Sequence, residues 1–162
     1  MTSDFELSLD ELRTVARYAT EAALDVLPVF EVACPADARP RAAIEAAREF
    51  IDGAPRTRLQ RVTSMDAHRA AKDAATEPAR LAAQAAGDAA SAAYLHPIAK
   101  AHQVGHILRA AANAARIAEI EAGAARSRVL GRAVGVHRRD ALEPCARRAV
   151  DELPGRLDGG PG

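Results

Sequence analysis

The chain has 162 residues, of which 49% are hydrophobic, and this size and content predict one domain with a modest core. Aromatic residues make up only 3% and alanine dominates the apolar set, so we expect helices that approach one another closely. Basic and acidic residues balance at 22 each, which excludes a general electrostatic attraction to nucleic acid or to a membrane surface.

The first residues, MTSDFELSLDEL, contain no basic segment followed by an apolar run. No stretch reaches the roughly 18 apolar residues of a membrane span. The two cysteines, Cys34 and Cys145, lie far apart and form no CxxC pattern, which argues against a disulfide framework or a zinc knuckle. We therefore expect a cytoplasmic protein without a membrane anchor.

Helical periodicity begins directly after Ser8, which fits a capping box with Glu11. Helix one is predicted from about Leu9 to Leu27, since Pro28 favours a kink or a new short turn. The large side chains Phe5 and Phe30 are expected to anchor the core.

Helix two is predicted to open at Arg39, with Pro40 in its first turn. Arg41 and Glu45 are spaced i, i+4 and are expected to form an ion pair on the helix surface. We expect Arg39 to bind carbonyls or carboxylates at the end of a neighbouring helix. The charges of this helix are thus predicted to be mainly architectural.

A third helix is predicted between Leu59 and Ala75, with a break near Thr63 and Ser64. Leu59, Val62 and Met65 are among the apolar residues that support it. The string Thr76-Glu77-Pro78 provides a cap and an early proline for helix four. Gly87 in that helix is expected to mark a close helix crossing.

The longest helical pattern runs from Pro97 to Ala122, and Gly123 is predicted to end it. Its apolar face is predicted to carry Val104, Ile107, Leu108, Ala111, Ala115 and Ala118. The opposite face is predicted to carry His102, His106, Arg109, Asn113 and Arg116. Further helices are expected over 125–136 and 140–153, followed by a flexible tail over 154–162. The prediction is an all-α, single-domain bundle (1–153) of about six helices around a central long helix (97–122).

The polar stripe of this helix is the one concentration of reactive side chains. His102 and His106 have the i, i+4 spacing by which two imidazoles reach one metal. Gln103 stands where the zincin motif has its glutamate, and the sequence places no third ligand. The stripe remains open to three interpretations: a metal site, a polar network or partner-binding surface, and a solvated face. We expect no metal, no cofactor and no nucleic-acid partner, and no catalytic motif is present.

Two segments resemble a known protein family. They are RPRAAIEA at 39–46 and AHQVGH at 101–106, together with Leu9, Leu12 and Arg13 of helix one. Over roughly Leu7 to Ala122 the chain is similar to small, all-helical, often actinobacterial proteins called putative immunity proteins of polymorphic-toxin systems. The resemblance implies a cytoplasmic protein that binds and neutralises a cognate toxin encoded nearby.

The expected function is therefore stoichiometric binding of a partner protein without catalysis. His102, His106, Arg109 and Asn113 are predicted to form the partner surface. The alternative from a different class is a small-molecule or metal-binding protein, or an enzyme of specialised metabolism. Its pocket would combine His102, His106 and Arg109 with the charges of helix two. Convergence of the side chains on one concave site would favour that alternative.

Overall fold

The computed structural model describes residues 8–95 and 101–133, and its side chains are described for 8–95 and 107–128. The chain forms α1 (Leu9–Ala33), α2 (Arg39–Ile51), α3 (Arg58–Asp73), α4 (Glu77–Ser91), a 3₁₀ turn (Ala92–Tyr94) and α5 (Ala101–Ala133). Within these ranges there is no strand, which confirms the all-α prediction. The last predicted helix (140–153) and the predicted tail (154–162) lie outside the described residues.

The helices begin where capping chemistry predicts. Ser8 accepts the Glu11 amide at 3.3 Å, and the Glu11 carboxylate accepts the Ser8 amide at 2.8 Å. Thr76 accepts from the amide of Ala79 at the start of α4. A second capping box, not foreseen from the sequence, joins Thr57 to Gln60 at the start of α3. These local hydrogen bonds fix the first turns of three helices.

The prediction that Pro28 interrupts helix one is wrong, because α1 continues through it to Ala33. Pro28 is exposed, whereas Leu27 and Phe30 on the opposite side are almost fully buried. A proline inside a helix costs about 3 kcal/mol, and burial of one such side chain contributes about 1.5 to 3 kcal/mol. Two buried side chains therefore offset the missing hydrogen bond. Phe30 is a core residue as predicted, and Phe5 lies outside the described residues.

The helix at the centre of the bundle is α4, which corrects the prediction that the long helix over 97–122 would be central. Helix α4 packs against α1, α2, α3 and α5. Its buried positions are Ala79, Ala82, Ala83, Ala85, Ala86, Gly87, Asp88, Ala89 and Ala90. Side chains this small let four neighbours approach one helix at once. The core therefore surrounds an alanine helix and takes its larger side chains from α1 and α2.

Helix α5 also differs from the prediction at its end. Gly123 does not terminate it, because one continuous helix, Ala101–Ala133, covers the described parts of the two helices predicted over 97–122 and 125–136. A glycine in a helix interior costs only about 1 kcal/mol, too little to end a helix without a competing cap. Leu95, the last described residue before α5, is not helical, and the 3₁₀ turn precedes it.

Helix α3 is unbroken at Thr63 and Ser64, contrary to the predicted interruption. The Thr63 hydroxyl donates to the Leu59 carbonyl at 2.9 Å within the helix. The Ser64 hydroxyl donates to the Gly87 carbonyl of α4 at 2.8 Å. Both polar side chains therefore find partners without breaking the helix, and Ser64 ties α3 to α4.

Candidate functional site

The face of α5 that packs on the core is not the predicted one. Ala110, Asn113 and Ile117 are buried at i, i+3 and i+7, whereas Leu108 is 51% exposed. Compared with the prediction, the helix is rotated about its axis. Asn113, which was predicted to lie on the partner surface, therefore faces the core. Its Nδ2 atom has no hydrogen-bond partner among the described residues. The sequence did not define the buried face, because alanines lie on every side of α5 and form no distinct apolar stripe.

Arg109 lies at the border between the core and the surface. Its side chain is 44% exposed, and Nη1 lies 3.4 Å from Oδ1 of Asp88, a carboxylate on α4 that is 1% exposed. His68 of α3 approaches the same oxygen, with Nε2 at 3.8 Å. Three helices thus meet at one buried carboxylate, and the arginine and the histidine connect it to the surface.

Burial raises the pKa of Asp88 to about 6, and the positive charge of Arg109 opposes that rise. A group with such a pKa changes charge in mildly acidic solution. The partners that face it from α3 and α5 are both potential cations. Strongly perturbed titratable groups are enriched at functional sites, although structural ion pairs perturb pKa values as well.

Gly87 makes this meeting of helices possible. A Cβ atom at Gly87 would lie 2.8 Å from the imidazole of His68, inside van der Waals contact. The close helix crossing predicted at Gly87 is therefore confirmed, and the ring of His68 occupies the space that a side chain would fill. His68 itself is half-buried.

The charges of α2 serve the architecture in part as predicted. Arg39 donates from Nη2 to Asp37 at 2.7 Å and to Asp73, the last residue of α3, at 2.8 Å. The prediction that Arg39 binds carboxylates at a neighbouring helix end is confirmed. Arg41, however, pairs with Glu31 of α1 at 2.6 Å and not with Glu45, because the Glu31 carboxylate lies within reach on the adjacent helix. Arg39 and Arg41 bind other carboxylates than Arg109 does. The structure therefore gives no support to the alternative in which one pocket combines Arg109 with the charges of α2.

An open cleft of about 450 Å³ lies beside α3, with Arg61, Ser64, Met65, Ser91 and Tyr94 along its walls. The Tyr94 hydroxyl donates to the Thr57 carbonyl, which fixes the 3₁₀ turn against the start of α3. Ser64 is one helical turn from His68, and the Ser91 hydroxyl donates to the Asp88 carbonyl at 2.9 Å. The cleft therefore adjoins the Asp88 site along the groove between α3 and α4.

The described residues contain no group of three or more histidine, cysteine, aspartate or glutamate side chains arranged for a metal ion. The side chains of His102 and His106, the predicted half-site, lie outside the described set. Among the described helices, none combines the length and the apolar content that a membrane span requires.

One comparison with known proteins places the chain in a family. The family described as Imm-5 like putative immunity protein matches residues 6–106, from before α1 into the beginning of α5. The chain belongs to this family. None of the curated proteins and none of the solved structures compared with it matches significantly. The residues that match the Imm-5 like family include α3, α4 and the cleft. Most of α5, including Arg109, lies C-terminal to the matched range.

Asp88 is the functional candidate that sequence reasoning missed. It is the one acidic residue between Arg80 and Tyr94, in a run in which eight of the other twelve residues are alanine. A carboxylate inside such an apolar run has a high desolvation cost unless charged partners meet it. A single acidic residue in an alanine-rich helix was therefore the feature of the sequence that could have identified Asp88 as the residue that joins α3, α4 and α5.

Proposed function

We propose that this member of the Imm-5 like family is an immunity protein that neutralises a cognate toxin by stoichiometric binding, without turnover. The observation that carries the proposal is the family match over residues 6–106. Immunity by binding needs a stable surface of complementary shape and charge, and it needs no catalytic group. A rigid helical bundle with charged side chains held at the edge of its core suits that task.

The surface we propose for this contact includes Arg109 and His68. The Asp88 carboxylate restrains the guanidinium of Arg109, which remains 44% exposed. An arginine whose orientation is already set loses less conformational entropy when a partner binds, and arginines are frequent energetic anchors of interfaces. His102 and His106 share a helix side with Arg109 by their sequence spacing, and they belong to the proposed surface as well. Asn113 is no longer included, because it is buried.

The test is protection of cells that express the toxin domain encoded beside this gene. We expect the wild-type protein to protect them and Arg109→Lys to protect them poorly, because lysine keeps the charge near Asp88 but not the planar, multiply donating group. Arg128→Lys on the same helix is the matched control, since Arg128 is exposed and far from Asp88 in sequence. Equal protection by both variants would remove Arg109 from the contact. Failure of the wild-type protein to protect or to bind would contradict the proposed function.

A further inference from the structure

Three large apolar side chains of α3 are exposed: Leu59 by 43%, Val62 by 39% and Met65 by 50%. We call these residues the α3 face. Scattered apolar residues are normal on a protein surface, but three on successive turns of one helix form a continuous patch. They do not contribute to the core, because the buried positions of α3 are Gln60, Ser64, Ala67, Ala70 and Ala71. The α3 face is therefore available for a contact.

The adjoining cleft has the character of a pocket for an apolar side chain. The two serine hydroxyls on its walls already donate to the backbone, Ser64 to Gly87 and Ser91 to Asp88. The Tyr94 hydroxyl is likewise committed to Thr57. With these donors used internally, the side chains of Met65 and Tyr94, with Arg61 beside them, remain as the contact surface. A volume of about 450 Å³ accommodates a bulky side chain from a partner.

The rim of the α3 face is positively charged. Residues 56–65 contain three arginines and no acidic residue. Arg56 lies over the ring of Tyr94 with its guanidinium carbon 5.8 Å from the centroid, and Arg58 and Arg61 are exposed. The nearest following acid, Asp66, pairs with Arg69 at 2.7 Å. The apolar side chains thus lie beside arginines that have no acidic neighbour in this segment. Such a surface is complementary to a partner that carries apolar side chains and negative charge.

We propose that the α3 face binds an acidic, apolar segment of a partner protein, which places one bulky side chain in the cleft and carboxylates against Arg58 and Arg61. The inference rests on the proposed function, in which the partner is the toxin. A protein segment fits better than a lipid surface, because a concave cleft receives a projecting side chain.

The test uses three synthetic helical peptides with the same leucine and phenylalanine face and with glutamate, glutamine or lysine on the polar face. Fluorescence anisotropy should show that the glutamate peptide binds the full-length protein at least about tenfold more tightly than the lysine peptide. Met65→Asp and Arg61→Glu should each weaken that binding about tenfold or more. Leu108→Asp, a change at an equally exposed apolar residue of α5, and Arg80→Glu on α4 are the matched controls and should not weaken it.

Equal binding of the three peptides, or binding that Met65→Asp leaves unchanged, would overturn the proposal. Binding to phosphatidylglycerol vesicles instead of the glutamate peptide would show a lipid surface as the occupant, and a dimer that Met65→Asp dissociates would show a second copy of the chain. Both results would overturn it. The toxin domain separates the two proposals: toxin binding that Arg109→Lys weakens and Met65→Asp does not would uphold the proposed function and refute the α3 face as its site.

Discussion

Replacement of Arg109 by alanine tests the buried ion pair between α4 and α5. In the folded protein the pKa of Asp88 is about 6 instead of its usual 3.8, so that burial of the charged form costs on the order of 3 kcal/mol even with Arg109 present. Without Arg109 that cost increases. A hydrogen bond to a charged group contributes about 1.5 to 3 kcal/mol, but the side chain of Arg109 is 44% exposed, so we expect a loss of about 1 to 2 kcal/mol at pH 8.

The direction of the pH dependence follows from the raised pKa. Between pH 4 and 6 the folded protein binds more protons at Asp88 than the unfolded chain does, so this residue lowers stability as the pH rises through that interval. Below pH 4 the carboxyl group is neutral in the folded state, and Arg109 has little charge to stabilise. The effect of Arg109→Ala should therefore be large at pH 8 and small at pH 4.

The assay is urea unfolding of the wild-type protein, Arg109→Ala, Asp88→Asn and the double variant at pH 4 and pH 8. We expect a coupling free energy of about 1 to 2 kcal/mol between the two positions at pH 8 and almost none at pH 4. Asp88→Asn should also remove the decrease in stability between pH 4 and 6 that Asp88 causes. A coupling that is equal at both pH values would refute the view that Asp88 is buried with a raised pKa.

Three further predictions concern other contacts. Gly87→Ala should stabilise the His68→Ala variant by up to about 1 kcal/mol but not the wild-type protein, where the imidazole occupies the space; equal effects in urea unfolding would contradict this contact. Glu31→Ala should lower the melting temperature more than Glu45→Ala does, because Arg41 bonds to Glu31; the reverse order would restore the predicted pair within α2. Elemental analysis of the purified protein should find no stoichiometric transition metal, and one equivalent per chain would favour a metal-binding function instead.

The starts of α1 and α4 were predictable from the sequence because they depend on local chemistry. Ser8 with Glu11 and Thr76 with its following proline are recognisable caps, and each is used in the structure. Pro28 and Gly123 misled the prediction because their cost of about 1 to 3 kcal/mol is small beside the stabilisation of a long packed helix. Breaker residues in such helices are thus weaker evidence than capping residues.

The orientation of α5 could not be predicted, because alanine is compatible with both burial and exposure. Ala110 is buried while Ala115 is exposed, although the two residues are identical. The site at Asp88 depends on contacts between residues 20 or more positions apart along the chain, since His68 and Arg109 reach it from different helices. Their convergence is a tertiary property that no spacing within one helix indicates. Arg39, by contrast, meets Asp73 at the end of α3, as predicted.

Titration of the toxin encoded beside this gene with increasing amounts of the purified protein tests most directly whether neutralisation occurs by binding. Stoichiometric binding predicts that toxin activity falls linearly and reaches its minimum at one equivalent, with a complex of both proteins visible by size-exclusion chromatography. Loss of toxin activity at far less than one equivalent, increasing with time, would show turnover and contradict the binding mechanism. Unchanged toxin activity at excess protein would contradict the proposed function itself.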